Sequence, residues 1–155
     1  QGVTEMLNRI VLMDNIKPEN TFELRTILEV GACRLVAEKA NAVDFQPLVE
    51  VNERMRTSKD DIDQRIALDM EFHNTVARLS GNPLLELFQR SINNLIAPLI
   101  RTALLPLSGN ESGIRDHQLL IEAMRKGDAG QAVSLMSEHL RKSAQNYQDG
   151  ELRKE

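Results

Sequence analysis

Apolar residues return every three or four positions along almost the whole chain, and Gly, Pro and short polar clusters interrupt the rhythm at intervals. That period belongs to amphipathic helices rather than to half-buried strands. Aromatic residues make up only 3% of the sequence and Trp is absent, so Leu, Ile, Val, Ala and Met must do the packing. Such side chains suit helix against helix, and the chain reads as an all-α antiparallel bundle of about seven helices.

The punctuation places the elements. Residues 3–13 form a leading helix with Val3, Met6, Leu7, Ile10 and Leu12 or Met13 inward, followed by a connector over 14–20 that contains Pro18. The second helix is expected from Asn20 or Thr21 to about Asn41, with Leu24, Ile27, Leu28, Val30, Gly31, Leu35, Val36 and Ala37 as its apolar positions. The third covers roughly 43–57. A break at 58–61 precedes the fourth, which ends at Ser80 and Gly81. Asn82 caps the fifth helix and Pro83 opens it; Pro98, inside it, predicts a kink or break near Asn94. Residues 105–110 read as a loop. The sixth helix starts at Glu111 or Ser112 and runs to Arg125. Asp128 caps the seventh, which runs to about Gln148 before a frayed charged tail. The 155 residues are expected to form one domain, of which 1–19 are the leading helix and its connector.

Charge and cysteine narrow the function. The formal net charge is -4, unlike the basic face of a nucleic-acid-binding module. Cys33 is the single cysteine, which excludes an internal disulfide framework, fits the cytoplasm, and reads as a small core residue. No run of 18 apolar residues exists to cross a membrane.

Polar residues in the apolar stripes carry the chemistry. Asp69 and His73 stand one helical turn apart on the face that holds Ile62, Ile66 and Val76. His117 falls in the stripe of Ile114, Leu120, Ile121 and Met124; His139 falls in that of Ala132, Met136 and Leu140. One such histidine is usually a core residue hydrogen-bonded to a neighbour. All three histidines of the chain, with an Asp one turn from the first, suggest a shared divalent metal: zinc first, with nickel, manganese or iron as alternatives.

The motifs have a family. Glu23-Leu24-Arg25-Thr26-Ile27-Leu28-Glu29, then Asp69-Met70-Glu71-Phe72-His73, Leu79-Ser80-Gly81-Asn82-Pro83-Leu84, and Asp116-His117 through Met124 with Gly127-Asp128 and His139-Leu140 follow in an order that resembles the FCD domain. This is the C-terminal effector-binding domain of the FadR branch of GntR-type bacterial transcription regulators. The resemblance implies Asp69, His73, His117 and His139 as metal ligands. It implies a homodimer and a small organic acid as effector, with DNA held only by a winged helix-turn-helix domain that nothing here matches. The chain is therefore expected to be a piece of a longer regulator. Asp116 stands where Glu is more usual, a departure expected to touch no ligand.

Arg25 is the recurrent arginine of the family's Arg-x-x-x-Glu stretch. It is read either as an anchor for the effector carboxylate or as an ordinary intrahelical partner of Glu29. Asn94 and Arg101 are weaker candidates for lining the effector pocket, or members of a solvated face. Glu71 reads as surface. Two other functions use the same ligands: a metalloenzyme with open coordination positions, or a dimerisation domain with a structural metal. The metalloenzyme needs a base that Glu71, turned away from Asp69 and His73, does not offer, so the chain is not expected to be an enzyme.

Overall fold

The computed structural model describes residues 2–58, 61–103 and 109–154. Among them there are seven α-helices and no strand: α1 Gly2–Met13, α2 Pro18–Glu38, α3 Gln46–Thr57, α4 Ile62–Leu79, α5 Pro83–Ala103, α6 Gly109–Arg125 and α7 Ala129–Leu152, with a 3-10 turn at Ala40–Ala42. Local chemistry explains most boundaries. The Asp61 carboxylate accepts the Gln64 N–H at 3.0 Å and starts α4. Asn82 accepts the N–H groups of Leu84 and Leu85 at the start of α5. Asp128 accepts the Gln131 N–H at the start of α7.

Several expectations shift. Helix α2 opens at Pro18, because proline fits the first helical position, and Asn20 reaches back to accept the Lys17 N–H. Helix α5 runs through Pro98 without a break. Asn94, whose carbonyl loses its partner there, is exposed, so water can satisfy it. Of the expected loop, 105–108 lie outside the described residues, as do Lys59 and Asp60 of the earlier break, while Gly109 and Asn110 open α6. Helix α7 continues to Leu152, where a Gln145–Asp149 hydrogen bond and a Lys154–Glu151 pair hold the last turns. Helix α1 buries no residue fully. It leans on α5 through Leu7 because the other helices already close their own core.

Gly127 ends α6 at φ +72°, with its N–H on the Met124 carbonyl and the Asp128 N–H on the Ala123 carbonyl. A Cβ there would meet the Ala37 carbonyl at an ordinary 3.5 Å, so only backbone strain is at stake. Gly127→Ala is expected to cost about 1–2 kcal/mol. Urea denaturation measures it, and a change below about 0.5 kcal/mol would reject the left-handed cap as a determinant.

Two apolar clusters fill the bundle. The larger joins Ala32, Cys33, Val36, Leu48, Phe72, Val76, Leu120, Met124, Met136 and Leu140; the smaller joins Phe22, Ile66, Met70, Ile92, Ile96 and Ile100. Helix α2 passes from the smaller to the larger, and between Phe22 and Ala32 it carries Arg25 and Glu29 inward. Helix α4 does the same with Asp69 and His73 between Ile66 and Val76. On α7, His139 stands between Met136 and Leu140 of the larger cluster. The polar residues thus form a layer at mid-height in the bundle.

The second helix turns a different face inward from the one its apolar residues suggested. Leu24 and Ile27 are 42% and 65% exposed, whereas Arg25 and Glu29 are 1% and 0% exposed. Cys33 is buried as expected; burial, aided by the Glu29 charge, pushes its thiol up to about 12.

Candidate metal centre and its polar layer

The structure brings Asp69, His73, His117 and His139 together: one donor atom from each lies within 4.8 Å of all the others. His73 Nε2 is 3.3 Å from His139 Nε2 and 3.6 Å from Asp69 Oδ1, and His117 Nε2 is 3.3 Å from Asp69 Oδ1. Two donors on one ion at about 2.1 Å stand about 3.0 Å apart at a right angle and about 3.4 Å apart at the tetrahedral angle. These three spacings lie close to such edges. His117 is fully buried; its Nδ1 has no partner, and its Nε2 meets Asp69 Oδ1 at 3.3 Å without good hydrogen-bond geometry. Ring nitrogens so poorly satisfied in a core are costly, and a cation among these donors would remove the cost. The donor set, imidazole and one carboxylate, fits a divalent transition metal.

Two carboxylates orient the rings. Glu29 Oε2 lies 2.5 Å from His73 Nδ1, and Asp116 Oδ2 lies 3.1 Å from His139 Nδ1. Each holds the Nδ1 side of its ring and leaves Nε2 facing the shared centre, as carboxylates commonly do behind metal-bound histidines. Asp116 therefore does touch a candidate ligand, contrary to expectation, and Lys142 Nζ braces it at 3.3 Å. Phe72 stacks flat on His117, with centroids 3.8 Å apart, and Gln89 Nε2 donates to the His73 carbonyl at 2.7 Å.

Charge within the layer is tightly coupled. Burial alone would lower His73, but the Glu29 and Asp69 carboxylates outweigh it and hold the imidazole up at about 9. Burial, together with the neighbouring histidines, pushes His117 down to about 4. Burial would raise Asp69, yet His73 and His117 keep it well below the usual carboxylate range. An ion held here would have to replace the proton on His73 Nε2, while Nδ1–H would stay on Glu29. Protons then compete with metal below about pH 9, and His117 is already neutral. Affinity is expected to rise roughly tenfold per pH unit from about pH 6.5 towards 9 and then to level. Competition titration with a chelating dye measures it, and a flat profile over that window would exclude His73 as a ligand.

The other expected site residues fall differently. Arg25 Nε pairs with Glu29 Oε1 at 2.8 Å, both side chains being buried. The pair is thus part of the core rather than a surface pair contributing tenths of a kcal/mol. Arg25 Nη2 has no partner. Asn94 is exposed; its neighbour Asn93 is the inward residue, at 0% exposure, donating to Asn74 Oδ1. Arg101 is exposed and paired with Asp63 at 2.6 Å. Neither Asn94 nor Arg101 joins the layer, because one residue along a helix turns a side chain by about 100°. Glu71 is on the surface, paired with Arg54, as expected.

The helical bundle is a fold shared with a known protein. E. coli McbR/YncC superposes with a TM-score of 0.73 over 95% of this chain and 79% of that one, at 19% identity. The FCD domain family matches residues 20–142, and the chain belongs to that family. Curated relatives include the HTH-type transcriptional regulator LutR of Bacillus subtilis, 24% identical over 89% of this chain and 65% of that protein. The HTH-type transcriptional repressor NanR of Cronobacter sakazakii is 31% identical over 76% of this chain and 46% of its own length. The Uxu operon regulator of Haemophilus influenzae is 23% identical over 83% and 50%. The chain thus spans about half to two-thirds of the length of these relatives.

Proposed function

We propose that this chain is the sensing domain of a GntR-type transcription regulator, which binds a divalent metal through Asp69, His73, His117 and His139 and a small organic acid beside it. The bound ion would supply a Lewis-acidic point for a carboxylate. The observation that carries the reading is the junction of that cluster with the Arg25–Glu29 pair: Glu29 joins Arg25 to His73, and Arg25 keeps a buried donor free. An unused guanidinium N–H in a dry layer is suited to a carboxylate oxygen. The relatives' names agree with a regulatory role. Glu71, exposed and paired with Arg54, offers no general base to a bound water, which favours sensing over hydrolysis.

The acid would bias the helices that carry the layer, and so the spacing of DNA-binding domains elsewhere in the full regulator. A homodimer fits the apolar side chains left bare on neighbouring helices: Leu24 and Ile27 on α2, and Leu84, Leu87 and Phe88 on α5. No helix among the described residues is long and apolar enough to cross a membrane, in keeping with a cytoplasmic regulator.

Isothermal titration of zinc-loaded protein with hydroxy and dicarboxylic acids tests the reading. At least one acid is expected to bind, and its affinity to fall at least about tenfold after chelation or in His117→Ala. Equal binding with and without metal would overturn the metal-anchored site.

A further inference from the structure

Arg65 is a buried arginine that the metal cluster does not use. It is 7% exposed, and its Nε is buried without a hydrogen-bond partner. Among the described residues no carboxylate lies within salt-bridge distance of it, although the structure's other ion pairs are formed readily on the surface. A guanidinium cannot shed its proton to escape burial. A buried donor left without a partner costs free energy, and an anionic ligand within reach would satisfy it.

Its position says what that ligand must reach. Arg65 stands one turn before Asp69 on α4, on the side of the helix that also carries Phe72. Helices α2 and α4 run in the same direction, since Glu29 meets His73 and, further along both, Lys39 Nζ donates to the Ser80 carbonyl at 2.7 Å. Arg25 precedes Glu29 by one turn, just as Arg65 precedes Asp69. Long side chains on helices lean towards the N-terminus. Both guanidinium groups therefore belong on the same side of the donor cluster along the bundle axis. With a divalent ion in place, the ion, Arg25 and Arg65 together carry two more positive charges than Asp69 and Glu29 offset, a surplus that an anionic ligand would balance.

Resting on the sensing role proposed above, we infer that the acid carries two anionic groups: one carboxylate at the ion and Arg25, and a second anionic group on Arg65. Arg65 is then a specificity-determining residue that separates a dicarboxylate from a monocarboxylate of the same length. A neutral polar tail would leave the Arg65 charge unpaired and forfeit the gain.

The test compares straight-chain dicarboxylates from malonate to adipate with monocarboxylates of equal chain length, titrated into the zinc-loaded chain. At least one diacid is expected to bind about tenfold or more tightly than its monoacid partner. Arg65→Met is expected to bring that ratio to within about threefold, with diacid affinity falling more than monoacid affinity. In the ligand-free protein its melting temperature should stay level or rise, since an unpaired buried donor has been removed. Arg65→Lys keeps the charge without the fork and should retain part of the preference. Should Arg65→Met not melt cooperatively, Arg65→Lys decides, and an undiminished preference there overturns the inference. Equal affinity for both acid classes in the parent chain, or a preference that survives Arg65→Met, also overturns it while leaving the sensing role intact. Failure of every acid to bind would instead overturn the sensing role.

Discussion

Chelation of the zinc-loaded protein is expected to leave the helices in place and to lower the melting temperature by about 5–11 °C. The size follows from mass action. Free ion at a hundred times its dissociation constant stabilises the folded state by about 2.7 kcal/mol, and a domain of this size shifts by about 2–4 °C per kcal/mol. Retention of the fold follows from where the hydrophobic burial lies. Both apolar clusters close without any of the four donor residues. Without an ion the polar layer still has cohesion, because the cationic His73 is held between Glu29 and Asp69. Far-ultraviolet circular dichroism with and without a chelator measures both parts. Collapse of the helical signal at 25 °C on chelation would make the metal structural. An unchanged melting temperature would deny that the cluster binds metal.

The helix count was legible because most boundaries rest on local chemistry. Asp61, Asn82 and Asp128 act as caps and Gly81 and Gly127 adopt positive φ, so neighbours in sequence suffice to place them. The meeting of Asp69, His73, His117 and His139 was legible for another reason: a polar residue in a regular apolar stripe advertises its own burial. The same logic applied to Arg25 and Glu29, which share a stripe with Phe22, Ala32, Cys33 and Val36. It failed there because Leu24 and Ile27 offered a second, more apolar face. Which face a helix buries depends on how its neighbours pack, and nothing within α2 decides that. Asn93 rather than Asn94 turns inward, and α5 is apolar over so much of its surface that its inward direction cannot be read to within one residue. Arg65, a charge near the start of a helix, had no sequence signal, since such residues are solvated in most proteins.

The network around Glu29 makes the largest effect expected of a single substitution. Glu29 is fully buried, and its two oxygens meet Arg25 and His73 separately. Burial would raise its carboxyl, but the Arg25 and His73 charges outweigh this and hold it at about 2. Glu29→Gln keeps the shape and removes the charge, leaving the guanidinium without its counter-ion in the core. Breaking a buried pair in this way costs about 3–5 kcal/mol, or a fall in melting temperature of about 6–20 °C. Metal affinity should also fall about 10–100-fold, because His73 loses the carboxylate that fixes its Nδ1 proton. The two effects should separate in Arg25→Met combined with Glu29→Leu. Removing both partners leaves no unpaired guanidinium, so much of the stability should return. His73 still lacks its carboxylate, so the metal affinity should not. The pH dependence carries its own sign. With a folded pKa below the unfolded one, Glu29 contributes stability that is present above about pH 4.5 and lost as pH falls towards 2. Acid titration of Glu29→Gln should lack that loss. If Glu29→Gln melts within about 1 kcal/mol of the parent chain and binds zinc equally well, the carboxylate neither anchors Arg25 nor orients His73.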